Sequence, residues 1–278
     1  MSAAKKLQGR ANSEPRHSPP QGEAAAEAPK KIKTEKMKIL LIGYGKMGQT
    51  LDKMAQAAGH EVVGKINQAS DWDNFELEAE VAIEFSQPDA ALNNYLACFE
   101  RGIPVVSGTT AWLADWDKMA AACEEKKGAF FYASNFSIGV NLFFALNERL
   151  AELMAGQPQY QLEMEEIHHL EKKDAPSGTA ISLAQGVLAH NKRFEDWYLA
   201  EFPNLEGSQK ENHFPIFALR EAGVPGTHSL KYASSEDEII ITHRAKGRIG
   251  FAAGALKAAE WLAGKNGVFG MKDLLKEQ

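Results

Sequence analysis

Residues 38–48 read Lys-Ile-Leu-Leu-Ile-Gly-Tyr-Gly-Lys-Met-Gly, an apolar run that leads directly into a glycine-rich turn. The apolar run is typical of a buried strand in a parallel sheet. The next residues, 49–58, carry apolar side chains at helical spacing and end at Gly59, where a glycine commonly terminates a helix. Gly-x-Gly-x-x-Gly between a strand and a helix is the arrangement that binds a dinucleotide pyrophosphate. The folded part of the chain is therefore predicted to start at Met37 with a nucleotide-binding unit.

The alternation of strands and helices continues beyond this unit. Four further apolar runs predict strands at 61–66, 81–85, 104–106 and 129–133. Amphipathic or capped segments between them predict helices, and this alternation is typical of a doubly wound parallel sheet. The first part of the chain is therefore predicted to have a Rossmann-like α/β fold.

The pattern changes after a long amphipathic helix predicted at 141–154. Residues 160–164 alternate between apolar and polar types, as a half-buried strand does. Two more strands, 228–233 and 238–243, are joined by a short polar turn, and helices are predicted at 177–190 and 250–263. This pattern favours a smaller α+β domain with a mostly antiparallel sheet.

Composition excludes several classes of protein. The chain has 278 residues, 44% of them apolar, which is enough for two modest domains. The net charge of −6 gives no support for nucleic-acid binding, and no apolar stretch is long enough to span a membrane. Cys98 and Cys123 are far apart and form neither a disulfide framework nor a metal-binding pattern, so a reducing compartment, the cytoplasm, is expected.

Residues 1–36 differ from the rest of the chain. They contain eight Lys or Arg and four Asp or Glu, a net charge of +4, and hardly any large apolar side chains. Such a segment cannot bury enough surface to offset its conformational entropy. It is therefore predicted to be a disordered tail. Its four acidic residues argue against an organelle transit peptide, and its lack of an apolar core argues against a secretory signal.

Several loops are candidates for binding a pyridine dinucleotide, because they follow predicted strands at the edge where open α/β sheets bind ligands. The candidate residues are Gly43, Tyr44, Gly45, Lys46, Met47, Gly48, Asn67, Gly108, Thr109, Thr110, Ala133, Ser134, Asn135 and Phe136. Asn67 stands where a carboxylate often binds the ribose of NAD, and it does not repel a 2′-phosphate. Lys65 could favour that phosphate if its side chain points toward it, so NADPH, or use of both coenzymes, is expected as readily as NADH. For the Phe136 ring, packing in the core is the favoured alternative.

Residues 166–179 carry the groups that best suit chemistry on a small anion. The run Glu-Ile-His-His-Leu-Glu-Lys-Lys-Asp-Ala-Pro-Ser-Gly-Thr places two imidazoles, an ammonium group and a Ser-Gly-Thr turn within fourteen residues. Imidazole and ammonium groups transfer protons and bind carboxylates, and backbone amides at a helix start bind anions. The alternatives are an ordinary turn after a strand and a plain helix cap by Ser177 or Asp174. A metal site is disfavoured because no third ligand has suitable spacing.

These segments resemble the 4-hydroxy-tetrahydrodipicolinate reductase family, also called dihydrodipicolinate reductase, of the diaminopimelate route to lysine. The resemblance extends over nearly all of the chain from Met37 onward. Its most specific segment is 168–179, His-His-x-x-Lys-x-Asp-Ala-Pro-Ser-Gly-Thr, and segments 134–141, 224–228 and 242–251 support it. Asn67 departs from the acidic ribose ligand of the family, and the segment 228–239 is shorter than in many members.

The resemblance implies an NAD(P)H-dependent oxidoreductase that reduces a small dicarboxylate and assembles as a homotetramer. It implies that His168 and Lys172 are catalytic. It implies that the substrate carboxylates are held by His169, Ser177, Gly178, Thr179 and Arg248. It also implies a dinucleotide-binding domain of residues 37–138 and 245–278 and a substrate-binding and oligomerisation domain of residues 139–244.

Two other functions remain open from the residues alone. One is a different two-domain NAD(P)-dependent oxidoreductase that acts on an amino-acid-like anion, and the other is a non-catalytic dinucleotide sensor. The first leaves the His-His-x-x-Lys run unexplained, and the second has no use for Lys172. His228 and His243 border predicted strands, where packing or an interface is favoured over catalysis.

Overall fold

The structure is a computed structural model that describes residues 36–76, 78–200 and 212–277. The predicted tail, apart from Lys36, lies outside the described residues. The strands are β1 (Lys38–Ile42), β2 (Glu61–Ile66), β3 (Val81–Glu84), β4 (Val105–Ser107), β5 (Ala129–Tyr132), β6 (Gln161–His168), β7 (Asp196–Ala200), β8 (His213–Arg220), β9 (Thr227–Ala233), β10 (Glu238–Arg244) and β11 (Gly267–Phe269). The helices are α1 (Lys46–Ala58), α2 (Pro88–Glu100), α3 (Trp116–Glu125), α4 (Ile138–Met154), α5 (Gly178–His190), α6 (Ile249–Leu262) and α7 (Met271–Lys276).

The first sheet is parallel throughout and has the strand order β11-β5-β4-β3-β1-β2. Both of its faces are covered by helices. Ile39 packs in a core cluster with Leu51 of α1 and Ala259 of α6, whereas its neighbour Leu40 packs on the opposite face with Tyr95 of α2. Burial on both faces explains why the strands read as continuous apolar runs. The predicted doubly wound, Rossmann-like sheet is therefore confirmed.

The second sheet has the strand order β10-β9-β6-β8-β7. Strand β9 pairs antiparallel with both β10 and β6, which confirms the predicted antiparallel pairing. Strand β8 pairs parallel with β6 and β7, so the sheet is mixed. Helices α4 and α5 cover one face of it, and their apolar side chains share a core with those of β6, β8 and β9.

Some elements were not predicted from the sequence. Strand β8 contains Pro215, which interrupts a strand pattern, and β7, β11 and α7 are only three to six residues long. Helix α1 begins at Lys46, three residues before its predicted start, so the last glycine of the turn lies inside the helix. No helix in the described part of the chain has the length and hydropathy needed to cross a membrane.

Candidate active site

Three glycines shape the turn between β1 and α1, each for a different reason. Gly43 has a φ of +85°, and a Cβ there would lie 2.1 Å from the carbonyl oxygen of Phe85. A Cβ on Gly48 would lie 2.2 Å from the carbonyl oxygen of Gly43, so this glycine lets α1 approach the strand end. A Cβ on Gly45 would meet nothing within 4 Å, which leaves the backbone open to a ligand. This distribution is the one expected of a pyrophosphate-binding turn.

The rest of the turn is held by the carboxyl end of β2. The backbone N–H of Tyr44 donates to Asn67 Oδ1 over 2.8 Å. Lys65, which could have approached a 2′-phosphate, instead lies 2.8 Å from Asp52 Oδ2 and donates to the Tyr44 hydroxyl over 2.9 Å. Burial raises the pKa of Asp52, but hydrogen bonds from Lys65 and Tyr44 outweigh it and hold that pKa below its usual value. Lys46 is exposed, and Met47 packs against the core beneath the turn.

The loop 108–110 follows β4 on the same edge of the sheet. A Cβ on Gly108 would lie 2.1 Å from the Phe85 ring, so only glycine fits there without a shift. Thr109 is buried, and its hydroxyl donates to the carboxylate of Glu84 over 2.8 Å. Thr110 is exposed. The buried Glu84 carboxylate therefore fixes the loop, and Thr110 is the side chain that remains accessible to a ligand.

The loop 133–136 connects β5 to α4. The Phe136 ring is buried and stacks on Phe131 with centroids 5.8 Å apart, so its side chain packs in the core as the alternative interpretation expected. Ala133 is buried, Ser134 is exposed, and Asn135 is half-buried. Asn135 faces a cavity and therefore links the nucleotide sheet to the residues described next.

A cavity of about 320 Å³ brings most of the predicted catalytic and substrate-binding residues together. It is lined by Asn135, Val140, His168, His169, Lys172, Thr179, Pro225, Gly226, His228, His243, Ala245, Gly247, Arg248 and Phe251. Ser177 and Gly178 do not line it, and neither do residues 43–48 of the glycine turn. The cavity carries several cationic or ionisable nitrogen groups, which suits a small anion.

His168 lies at the end of β6 and is 8% exposed. Its Nδ1 is 3.3 Å from the carbonyl oxygen of Pro225, and its Nε2 is 3.4 Å from His228 Nε2 and 3.6 Å from Glu166 Oε2. Burial lowers the pKa of His168, and the neighbouring His228 and Lys172 lower it further, while Glu166 opposes them. The free protein therefore favours neutral His168.

The other cationic groups of the cavity are more accessible. The Lys172 ammonium lies 2.9 and 2.8 Å from the two carboxylate oxygens of Asp174, and His169 Nδ1 lies 2.9 Å from Glu171 Oε2. Both acidic partners are exposed, so a bound anion can replace them at little cost. Arg248 is exposed and immediately precedes α6.

Ser177 caps helix α5 and does not reach the cavity. Its Oγ accepts the backbone N–H of Ala180 over 3.2 Å and lies 3.0 Å from His228 Nε2, and the residue is 2% exposed. A Cβ on Gly178 would meet nothing within 4 Å, so the backbone there is open, and Thr179 lines the cavity. At the start of α5, Thr179 therefore faces the cavity, the backbone at Gly178 is uncovered, and Ser177 caps the helix.

Sequence reasoning missed Glu166. Its carboxylate is fully buried and accepts the backbone N–H of Ser177 over 3.1 and 3.0 Å, with Arg220 Nη1 3.7 Å away. Burial raises the pKa of Glu166, but hydrogen bonds from His228 and Ser177 outweigh it, and the carboxyl titrates below its usual range. The signal was present, because Glu166 and His168 continue the buried alternation of β6 beyond residue 164, where the strand was predicted to end.

His228 and His243, for which packing or an interface was expected, both line the cavity. His228 is 4% exposed and reaches His168 through the pairing of β9 with β6. Burial and the neighbouring His228 lower the pKa of His243. No local pattern could have placed them here, because the register of the second sheet decides it.

Glu166, His168 and His228 are the group of described residues whose ligand atoms come close enough to hold a metal ion, all within 4.8 Å. Their environment argues against one. Both oxygens of the Glu166 carboxylate already share the backbone N–H of Ser177, and Arg220 lies beside them. A divalent cation would have to displace these contacts next to a permanent positive charge. We therefore treat the group as a hydrogen-bonded cluster.

A glycine turn on a parallel sheet, next to a cavity rich in proton-transfer groups, defines the class of pyridine-nucleotide oxidoreductases. Family models agree with this class: residues 37–136 match "Dihydrodipicolinate reductase, N-terminus" and residues 139–275 match "Dihydrodipicolinate reductase, C-terminus". The chain belongs to the dihydrodipicolinate reductase family and is an NAD(P)H-dependent oxidoreductase.

The names of related proteins agree with this family assignment. A 4-hydroxy-tetrahydrodipicolinate reductase of Christiangramia forsetii is 50% identical over 244 residues, which cover 87% of this chain and 98% of the relative. The enzyme of the same name from Archaeoglobus fulgidus is 34% identical over 263 residues, with 86% and 100% covered. A dipicolinate-bound dihydrodipicolinate reductase from Paenisporosarcina sp. TG-14 has the same fold, with a TM-score of 0.66, 20% identity and coverage of 86% and 99%.

Proposed function

We propose that the chain reduces 4-hydroxy-tetrahydrodipicolinate to tetrahydrodipicolinate with NADPH or NADH, in lysine biosynthesis through diaminopimelate. Family membership and the names of the relatives support the reaction. The structural observation that carries the proposal is the cavity, which places His168, Lys172 and Arg248 around a space suited to a small dicarboxylate.

The protein has to supply one proton for each turnover. One hydride and one proton enter the substrate ring and one water leaves it, and the bound nucleotide supplies the hydride. His168 donates the proton from Nε2, because its Nδ1 faces the carbonyl oxygen of Pro225. Lys172 is the second proton donor, and its pairing with exposed Asp174 keeps the ammonium at the cavity until substrate arrives.

The substrate carboxylates are bound by His169, Thr179 and Arg248, which line the cavity. Ser177 contributes by capping α5, which fixes the orientation of the amides that follow it. The bound dianion favours the protonated form of His168 and so opposes the effect of burial. Substrate binding therefore converts a largely neutral imidazole into the acid that the reaction needs.

Residues at the carboxyl edge of the first sheet would hold the dinucleotide. Residues 43–48 would bind its pyrophosphate, Asn67 its adenosine ribose, and the loops 108–110 and 133–136 its nicotinamide end. Asn67 Oδ1 is occupied by the Tyr44 amide, which leaves the neutral side-chain NH₂ for the ribose or its phosphate. Because Lys65 is paired with Asp52, neither a strong attraction nor a strong repulsion acts on a 2′-phosphate, and both coenzymes are used.

The division into domains and the assembly follow the same proposal. Residues 37–138 and 245–278 form the dinucleotide-binding domain. This division is supported by helix α6, which packs on the first sheet, and by β11, which pairs with β5 as a strand of that sheet. Residues 139–244 bind substrate and form a homotetramer in the cytoplasm. Exposed Ile239 and Ile240 on edge strand β10 support an assembly surface there, and the two buried free cysteines support a reducing compartment.

One assay separates this function from its two alternatives. Purified protein is mixed with NADPH or NADH and freshly prepared 4-hydroxy-tetrahydrodipicolinate, and the loss of nicotinamide absorbance is followed. The proposal predicts turnover with this substrate and none with oxidised nucleotide plus a panel of amino acids. Turnover of an amino acid would indicate the other oxidoreductase, and nucleotide binding without any turnover would indicate a sensor.

A further inference from the structure

The buried Glu166 carboxylate faces two imidazoles at once. Its Oε2 lies 3.6 Å from His168 Nε2 and 3.6 Å from His228 Nε2, and these two nitrogens are 3.4 Å apart. The strand register creates this arrangement, because Glu166 on β6 pairs with His228 on β9. His168 and His228 line the cavity, whereas Glu166 lies behind them and does not line it.

The surroundings of His228 fix where its proton lies. Its Nδ1 is buried, and no partner for it exists among the described residues. A buried N–H without an acceptor is costly, so neutral His228 carries its proton on Nε2. That proton has three acceptors nearby, which are Ser177 Oγ at 3.0 Å, the lone pair of neutral His168 Nε2 at 3.4 Å and Glu166 Oε2 at 3.6 Å.

The surroundings of His168 fix the opposite arrangement. A carbonyl oxygen only accepts hydrogen bonds, so the Pro225 carbonyl 3.3 Å away keeps a proton on His168 Nδ1. Neutral His168 therefore has its lone pair on Nε2, within reach of the His228 N–H. When His168 is protonated at Nε2, it can no longer accept this N–H, and Ser177 Oγ is then the acceptor.

We propose that His228 and Glu166 are positioning residues that set the acid strength of His168. Glu166 stabilises the imidazolium before proton transfer. After the Nε2 proton has moved to substrate, His228 Nε2–H changes acceptor from Ser177 Oγ to the vacated His168 Nε2, and a proton from water later restores the acid. This inference rests on the proposed function, because it assumes that His168 is the proton donor.

The charged and titratable groups around His168 come from every strand that packs near it. Glu166 precedes it on β6 and Lys172 follows in the next loop, Arg220 lies on β8, His228 on β9 and His243 on β10. Glu166 is the only anion among these groups, and it is the one in contact with His168. Its removal must therefore disfavour the imidazolium, whereas removal of the His228 N–H must disfavour the neutral form.

These opposite effects give a test that a merely structural role would not reproduce. The acid form of His168 is required, so kcat falls as pH rises through its pKa. In Glu166→Gln this fall should move to lower pH, by about one unit for an interaction worth tenfold in the protonation equilibrium. In His228→Leu it should move to higher pH, with the substrate KM little changed.

Conservative and matched variants complete the design. His228→Gln retains an N–H donor near the Nε2 position and should return the pH profile most of the way to that of the unchanged protein. Glu163→Gln removes a carboxylate from the same strand, one that pairs with surface Lys231 at 2.6 Å, and should leave the pH profile unchanged. Thermal midpoints and NADH binding show whether each variant is folded.

The outcomes separate this inference from the function beneath it. The positioning role is overturned, and the function stands, if His168→Gln abolishes turnover while Glu166→Gln and His228→Leu either leave the pH profile in place or shift it in the same direction. If His168→Gln itself retains kcat, the proton donor has been assigned wrongly. Opposite shifts, with rescue by His228→Gln, support the inference.

Discussion

The glycine turn and the proton cluster are built in opposite ways. The turn is made by six consecutive residues, 43–48, and backbone sterics alone require its glycines at positions 43 and 48. The cluster combines Glu166, His168 and His228 from two strands that are paired across 62 residues of chain, Glu166 directly opposite His228. The difference shows that the proposed cofactor site is local in sequence, whereas the surroundings of the proposed acid depend on sheet register.

The largest expected effect concerns the cluster. His168→Gln should lower kcat by roughly 100-fold or more, the range in which positioned general acids contribute, with a much smaller change in substrate KM. Steady-state kinetics with saturating nucleotide measure it, and His190→Gln, at the exposed end of α5, is the control. A large rise in KM at unchanged kcat would move His168 to substrate binding.

A second experiment breaks the turn at two points that look alike in sequence. Gly48→Ala should lower the free energy of unfolding by roughly 1–3 kcal/mol, because its Cβ would collide with the Gly43 carbonyl. Gly45→Ala has open space and should leave thermal stability unchanged while weakening nucleotide binding. Calorimetry and nucleotide titration separate the two. Equal loss of stability in both variants would contradict the assignment of Gly45 to the pyrophosphate.

A smaller effect is expected at the mouth of the cavity. Arg248→Lys should raise the substrate KM by roughly tenfold at nearly constant kcat, because an ammonium cannot reproduce bidentate carboxylate binding. Arg244→Lys is a matched control, since Arg244 is also exposed but does not line the cavity. An unchanged KM in Arg248→Lys would remove this residue from the substrate site.

The smallest effect sharpens the nucleotide side. Asn67→Asp keeps an oxygen for the Tyr44 amide but adds a charge at the ribose end, so kcat/KM for NADPH should fall several-fold relative to NADH. Asn74→Asp adds the same charge at an exposed position farther along the chain and should leave the ratio unchanged. A ratio unaffected by Asn67→Asp would mean that the adenosine ribose lies elsewhere.

Local signals account for what the sequence predicted. Apolar runs and glycines identified β1, α1 and the end of α1 at Gly59, which has a φ of 92°. Ser177 was recognised as a cap candidate because serine favours that position. The run 168–172 was predicted to act on a small anion, because imidazole and ammonium groups are rarely needed together in a turn.

What was missed depends on tertiary structure. Strand β8 was hidden by Pro215, and its parallel pairing with β6 cannot be read from a single strand. His228 was assigned to packing, since nothing in its own segment shows that the sheet register places it against Glu166. Burial, which lowers the pKa of His168, also appears only in three dimensions.

The central claim is that the cavity around His168 holds the dicarboxylate against the reduced nicotinamide. A crystal structure with NADH and the non-reacting analogue pyridine-2,6-dicarboxylate tests it most directly. The account predicts the analogue between His168 and the nicotinamide, with its carboxylates on His169, Thr179 and Arg248. An analogue bound elsewhere, or a nicotinamide too far from His168 for one ring to touch both, would contradict it.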